Sequence, residues 1–307
     1  MWEIVPIVTS DLTCYQRCIA SIANFYNRSY DMIFFDTWGI AYQWDRPFDL
    51  SKVKPRSRGV LRKNLKLFHG IQTVKCANNI DSCLQMLQMG PITTSFDTFY
   101  CPWHRGYEQY HDFTASIILG FDSSSRQFMC ANPINTSERV WLAQENLTQN
   151  NGNLLCFSLV QQNRTSVWLL EELRNFIHFA LEFRLSKSIY NIFDSLLQLN
   201  ELSSIINFPD VSMSPLLYTF HTLACNLDNL AKTLMSMYIT LCTPNEIATL
   251  SACLVRLAKN FFHLRLIVIK LAILKERFAG HYTCLIKKCN YEILQIEQIL
   301  EQIINKL

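Results

Sequence analysis

One short stretch constrains this chain more than any other. Asp11-Leu12-Thr13-Cys14-Tyr15-Gln16-Arg17-Cys18-Ile19-Ala20-Ser21-Ile22-Ala23-Asn24-Phe25-Tyr26 reads as a helix that begins at a cysteine. Thr13 is an N-cap residue and Gln16 follows three residues later, the spacing of a capping box. Tyr15, Cys18, Ile19, Ile22 and Tyr26 recur at steps of three and four and form one apolar face. Cys14 therefore falls in the first turn, where the helix dipole and unpaired amides favour a thiolate over a thiol. The same amides can hold an oxyanion. Taken alone, a cysteine at this place is equally a small buried residue, because free cysteine is among the most buried types. A nucleophile needs partners further along the chain.

Composition bounds those partners. The chain has 307 residues, enough for two domains; half of it is hydrophobic, 17% is charged and the net charge is +3. That is globular rather than disordered. Lys52, Lys54, Arg56, Arg58, Arg62, Lys63 and Lys66 form one moderately basic stretch, a solvated face or a dock for an acidic partner. It is too sparse for a nucleic-acid footprint. Met1-Trp2-Glu3-Ile4-Val5-Pro6 lacks the basic and apolar regions of a signal peptide. The most apolar window, Phe261 to Leu274, carries His263, Arg265 and Lys270 and is too short to span a bilayer. Twelve cysteines without a secretory signal imply free thiols and a cytoplasmic setting. Cys14 and Cys18 are four apart, and Cys284 and Cys289 five apart; neither pair has zinc-site spacing, so no metal is expected.

The pattern changes near residue 164. Before it, Ile80 to Met89 reads as a helix stopped by Gly90-Pro91. Ile92-Thr93-Thr94-Ser95-Phe96 reads as a strand, and an aromatic-rich loop from Asp97 to Tyr107 follows. His111 to Asp122, Arg126 to Ala131 and Leu154 to Val160 read as further strands, Val140 to Leu142 starts another short element, and the hairpin spacing of the strands suggests an antiparallel sheet. Asn64 to Gly70 fits a strand or a helix. Met32 to Ile40 reads as a buried loop or short helix packed on the same domain, and Pro47 to Arg58 as loop. After it, Ser166 to Asn207 is helical, Pro209 to Ser212 is a linker, and Ser214-Pro215 opens a helix to about Leu241. Thr243-Pro244-Asn245-Glu246 opens another, to about Phe278, which Gly280 ends. The last helix repeats Ile286, Cys289, Ile293, Ile296, Leu300, Ile303 and Leu307, a seven-residue seam. The expected organisation is a catalytic domain over residues 1–163 and a helical bundle over 164–307.

A thiol nucleophile needs a base, and the base needs a group to orient it. Cys14 at a helix start, His111 at a strand start and Asn132 at the end of the next strand come in the order that papain-like folds use. Each alone has a plainer reading: His111 as a loop or core histidine, Asn132 as a turn residue before Pro133. His104, between Trp103 and Arg105, competes as base, but a strand end positions a base better than a loop. Cys18 competes as nucleophile but falls on the apolar face.

At these residues a resemblance enters. Gly90-Pro91, Asp97, Tyr100, Pro102, His104, Tyr107, His111 and the apolar strand to Gly120-Phe121-Asp122, with the helix headed by Cys14, resemble the N-terminal domain of the butirosin biosynthesis protein H family. The resemblance covers roughly residues 6 to 160. It implies an α+β papain-like fold related to C39-type bacteriocin-processing peptidases, with N-terminal helices packed on an antiparallel sheet. It implies an acyltransferase that moves an aminoacyl group from a carrier-protein thioester to an amine, beside non-ribosomal peptide and polyketide assembly lines. By position Cys14 would be nucleophile, His111 base and Asn132 the orienting residue, where relatives usually carry aspartate. Asp97 and Tyr100, with His104 and Tyr107 in the same loop, would line the substrate pocket. Peptidase relatives place an oxyanion glutamine several residues before the cysteine. Here position 8 is Val8 and no glutamine precedes Cys14, so the Cys14 amide and Ser10 are the candidate donors.

The resulting expectation is a cytoplasmic acyl or peptidyl transferase, or a cyclase, working through a Cys14 acyl-enzyme. Its partners would be an acidic acyl or peptidyl carrier protein and an amine acceptor. It would need no cofactor beyond the phosphopantetheine on the carrier, and no membrane or nucleic acid. The last-helix seam could join two copies. A cysteine peptidase with the same residues, and a non-catalytic helical interaction protein, are the alternatives.

Overall fold

In the computed structural model the described residues are 1–38, 40–41, 54–55, 58–132, 138–149, 154–161, 166–183, 192–193, 214–241, 244–274 and 279–306. Pro47 to Val53 of the expected loop, the linker at Pro209, Thr243 of the second capping box and the basic residues Lys52 and Arg56 lie outside them. Within the expected loop, Lys54–Pro55 form a short strand, β2, paired antiparallel with β1 (Ile40–Ala41), and Arg58 starts a helix. The architecture is α+β. The chain forms two compact units, Met1–Ile33 with Leu61–Gln162, and Phe34–Val60 with Asn163–Leu307. The second unit resumes at Asn163, and Phe34–Val60 is grouped with it rather than with the sheet.

In the first unit, α1 (Cys14–Phe25) starts at the cysteine. The capping box is complete: the Thr13 amide donates to Gln16 Oε1 at 2.8 Å and the Gln16 amide to Thr13 Oγ1 at 3.4 Å. Cys18, Ile19, Ile22 and Ala23 are fully buried on its apolar face. The ambiguous segment before Gly70 is helical, as part of α2 (Arg58–His69). Gly70, at φ 66°, takes the left-handed turn that ends α2, with its amide on the Lys66 carbonyl. It leads into β3 (Ile71–Cys76), a strand that the sequence pattern does not announce, since its residues are mostly half-exposed.

The remaining elements are α3 (Ile80–Met89), β4 (Ile92–Asp97), β5 (Phe113–Asp122), β6 (Gln127–Ala131), β7 (Arg139–Ala143), α4 (Gln144–Thr148) and β8 (Leu154–Leu159). Six strands form one antiparallel sheet in the order β3-β8-β4-β5-β6-β7. Side chains alternate across a sheet. Ile92, Phe96, Ile118, Cys130 and Cys156 share a buried cluster with Cys83 and Met86 of α3. The alternate residues, among them Thr93, Asp97, Ala115 and Ile117, face the other side, and α1 lies there along β5.

The second unit is built on α5 (Ser166–Phe183), α6 (Pro215–Leu241), α7 (Pro244–Leu274) and α8 (Ala279–Ile304). Gly280 does not end the preceding helix; it sits in the first turn of α8. The seam residues Cys289, Ile293 and Ile296 are fully buried and Leu300 nearly so, within the unit itself where α8 packs on α7. That seam is therefore occupied by the chain's own helices and is not an open surface for a second copy. Arg256 on α7 bonds Glu292 on α8 at 2.8 Å across the same contact. No helix among the described residues is long and apolar enough to cross a membrane.

Candidate functional site

Strand register decides what surrounds His111. The first residue of β5, Phe113, pairs with Asp97, the last residue of β4. His111, two residues upstream, is thereby folded back over the end of β4. Asp97 Oδ2 lies 2.8 Å from His111 Nδ1. The other carboxylate oxygen accepts the Phe99 amide at 3.0 Å and starts a short 3-10 helix, Thr98–Tyr100. A carboxylate only accepts, so Nδ1 holds a proton, and in the neutral ring the lone pair stands on Nε2. Among the described residues nothing bonds that Nε2.

The short helix also supplies the ring's packing. Phe99 stacks on His111 at 4.5 Å and 17°, and Tyr100 meets its edge at 6.1 Å. Asp97 holds the imidazole in its plane and Phe99 holds it flat. The His111 side chain is still 65% exposed, against 15% for Asp97, so the ring is held yet open to solvent. Beneath it, Cys101 is buried and its thiol donates to the Asp97 carbonyl at 3.3 Å. Burial, and then the Asp97 charge, push that thiol up to about 12, which makes it a packing residue.

The direction of α1 places Cys14. Its last residue, Phe25, packs edge-on against Trp2, whose amide donates to the Leu119 carbonyl late in β5. Tyr26, just after the helix, donates to the Phe157 carbonyl in β8 at 2.6 Å. The C-terminal end of α1 thus lies at the Leu119 end of β5. A helix of 12 residues is about 18 Å long and the strand from Phe113 to Leu119 about 20 Å. α1 packs against β5, and Cys14 stands at the helix end opposite Phe25. Cys14 is half-buried and Cys18 fully buried, as the apolar face requires. Cys14 makes no hydrogen bond to His111 among the described residues; catalytic bonds often close only with substrate present.

The group on His111 Nδ1 is Asp97, not the expected Asn132. Asn132 follows Ala131, which pairs with Ile117, so it lies level with the middle of β5. His111 precedes Phe113, at least three strand residues or about 10 Å away along the strand. Asn132 is buried, and the Nδ1 it would have contacted is held by Asp97. Asp97, expected in a substrate pocket, instead holds the His111 ring. A β-hairpin register carries this information, because it sets the end of one strand against the start of the next; residue spacing along the chain does not.

The rest of the loop separates into roles. His104 Nδ1 accepts the Gly106 amide at 3.0 Å, which leaves the proton on Nε2 of the neutral ring and no lone pair for a thiol. It is thus disfavoured as base. Tyr100 touches His111, and Tyr107 is exposed, its amide on the His104 carbonyl. Ser10 is exposed in the turn before Thr13. Gln16 spends its side-chain oxygen on the Thr13 amide. The Cys14 amide, at the first helical position, has no partner among the described residues and is the donor best placed for an oxyanion on its own sulfur adduct.

Among the described residues no three His, Cys, Asp or Glu side chains are grouped closely enough to hold a metal ion. The described cysteines are all free thiols. No protein-family model and no curated protein matches this chain.

Proposed function

We propose that the first unit is a papain-like cysteine acyltransferase in which Cys14 is the nucleophile, His111 the base and Asp97 the group that orients it. One observation carries the reading: His111 is held by Asp97 and Phe99 with Nε2 open, just before β5, the strand on which the helix headed by Cys14 packs. A donor thioester suits the nucleophile. The Cys14 sulfur adds to the thioester carbonyl as Nε2 takes its proton, and the C–S bond to the donor thiol breaks as Nε2 returns that proton. One thioester replaces another, so the step is close to balanced in free energy. An amine then adds to the acyl-enzyme, His111 accepts its proton, and the Cys14 thiol leaves.

The donor is an acyl or peptidyl group on the phosphopantetheine of a carrier protein, as the family resemblance suggests. Lys63 and Lys66 are exposed on α2 and supply positive charge for an acidic carrier. The test is the intact mass of the protein after mixing with acyl-pantetheine thioesters or an acylated carrier protein. The expected result is one acyl adduct, lost in Cys14→Ala and kept in Cys18→Ala. Absence of an adduct with every thioester, with Cys14 alkylated no faster than Cys284, overturns the reading. Adduct formation followed by release to water but never to an amine assigns hydrolysis rather than transfer.

A further inference from the structure

The residues that hold His111 lie on both sides of it. Thr98 is 1% exposed and sits in the short helix that follows Asp97. Its amide donates to the Asp112 carbonyl at 2.8 Å. Its hydroxyl donates to the Tyr110 carbonyl at 3.1 Å. One residue therefore ties down the carbonyls immediately before and immediately after the histidine. No helix or strand includes residue 111, so no regular ladder sets its backbone. Without the clamp, Asp97 and Phe99 would have to hold the ring against a backbone free to turn.

The loop is built to protect this contact. Gly106 packs so close that a Cβ there would lie 2.9 Å from Thr98 Oγ1 and 2.9 Å from the Tyr110 ring. The Gly106 carbonyl also accepts the Tyr110 amide at 3.2 Å. Glu108, at φ 54°, turns back so that its amide donates to the Phe99 carbonyl at 3.1 Å. The aromatic loop thus folds onto the short helix along its length, and Thr98 is where it meets the two neighbours of His111.

We propose that Thr98 is the positioning residue of the base: its hydroxyl and amide fix the backbone on both sides of His111 and so aim Nε2. It touches no reacting atom. The proposal rests on His111 being the base for Cys14, and the experiment separates the two ideas. The rate of Cys14 acylation by S-acetyl-N-acetylcysteamine is measured against pH in the full-length protein, by intact mass, for wild type, His111→Ala, Thr98→Val, Thr98→Ser and Gly106→Ala. Circular dichroism and a thermal melt report the fold of each.

The expected result is a neutral-pH limb in wild type that vanishes in His111→Ala. Thr98→Val, of the same shape without the hydroxyl, lowers that limb by about 10- to 100-fold, the loss a misplacement near 1 Å produces. It leaves the alkaline rate, where the thiolate forms without help, unchanged. Thr98→Ser stays close to wild type, and Gly106→Ala, which pushes the same hydroxyl aside, behaves like Thr98→Val. A wild-type limb that survives His111→Ala overturns the reading of His111 itself. A limb that depends on His111 but is kept in Thr98→Val overturns the proposal alone. So does equal loss in Thr98→Ser and Thr98→Val, since the methyl rather than the hydroxyl would then matter. Should Thr98→Val not fold, a folded Gly106→Ala with a wild-type limb overturns it.

Discussion

Asp97 Oδ2 lies 2.8 Å from His111 Nδ1, although the two stand fourteen positions apart in the chain. The same carboxylate caps the short helix at Phe99, whose ring covers the imidazole. One side chain thus holds the Nδ1 side of His111, the plane of its ring and the helix that packs on it. That economy makes Asp97 the residue through which the candidate site is most easily broken.

Asp97→Asn should keep the shape and lose the charge. An amide can present its NH₂ to Nδ1 and move the ring proton to Nε2, the wrong tautomer for a base. Acylation of Cys14 at neutral pH is expected to fall by about 10³-fold or more, as loss of an orienting carboxylate does elsewhere. Asn132→Ala, although it empties a buried position, should leave the pH profile of acylation unchanged and act on stability. Equal losses in the two variants would return Asn132 to the site.

The cysteines should divide sharply by environment. Burial pushes the Cys83 thiol up to about 12, and burial followed by the Asp97 charge does the same for Cys101. Burial also raises Cys130 well above the ordinary 9.0. In the native protein a colorimetric disulfide reagent at pH 8 is expected to modify Cys14 and the exposed Cys284, and these three only after unfolding. The sign of the pH dependence follows. The unfolded chain releases the Cys83 and Cys101 protons near pH 9 and the folded chain only near 12, so their stabilisation is complete below pH 9 and is lost as pH rises from there toward 12. A urea midpoint that falls steadily above pH 9 checks it.

The capping box is separable from the chemistry. Thr13→Ala removes the acceptor for the Gln16 amide and should cost about 1 kcal/mol, read from urea unfolding. Gln16→Ala leaves the Thr13 amide without its 2.8 Å acceptor in a buried place, at a cost of about 1–3 kcal/mol. Both fray the turn that carries Cys14, so the acylation rate should fall with them, whereas a Cys18→Ala protein of equal stability keeps its rate.

At the other end of α1, Tyr26 and Gly90 form a coupled pair. The Tyr26 hydroxyl donates to the Phe157 carbonyl at 2.6 Å, and a Cβ on Gly90 would lie 2.9 Å from that carbonyl and 3.0 Å from the hydroxyl. Tyr26→Phe should cost about 1 kcal/mol, and Gly90→Ala about 1–3 kcal/mol through overpacking. The double variant should cost less than the sum, because removing the hydroxyl opens space for the methyl. Burial pushes the Tyr26 phenol up to about 12, so ultraviolet titration should find it among the last tyrosines to ionise.

Much of the fold is legible before any coordinates. Thr13 and Gln16 announce α1, Gly90-Pro91 closes α3, and Ser214-Pro215 opens α6. Each is a local rule, satisfied by neighbours within four residues. The strands from Ile92 to Leu159 show as apolar runs between turns. β3 escapes because an edge strand with half-exposed residues has no apolar run to read. The return of Phe34–Val60 to the second unit escapes because no change of composition marks it.

Amino-acid order alone determined that Cys14 stands at the start of a capped helix with Cys18 buried behind it, because capping and helical periodicity act over a few residues. It also placed His111 beside the first strand residues after a bulky loop. Only the tertiary structure decided which group orients that histidine. Chain order favours Asn132 and strand register delivers Asp97, since the pairing of Asp97 with Phe113 sets His111 over the end of β4 while Asn132 is carried to the middle of β5. Register is a property of the whole sheet, summed over every pair in it, and no short stretch of sequence contains it.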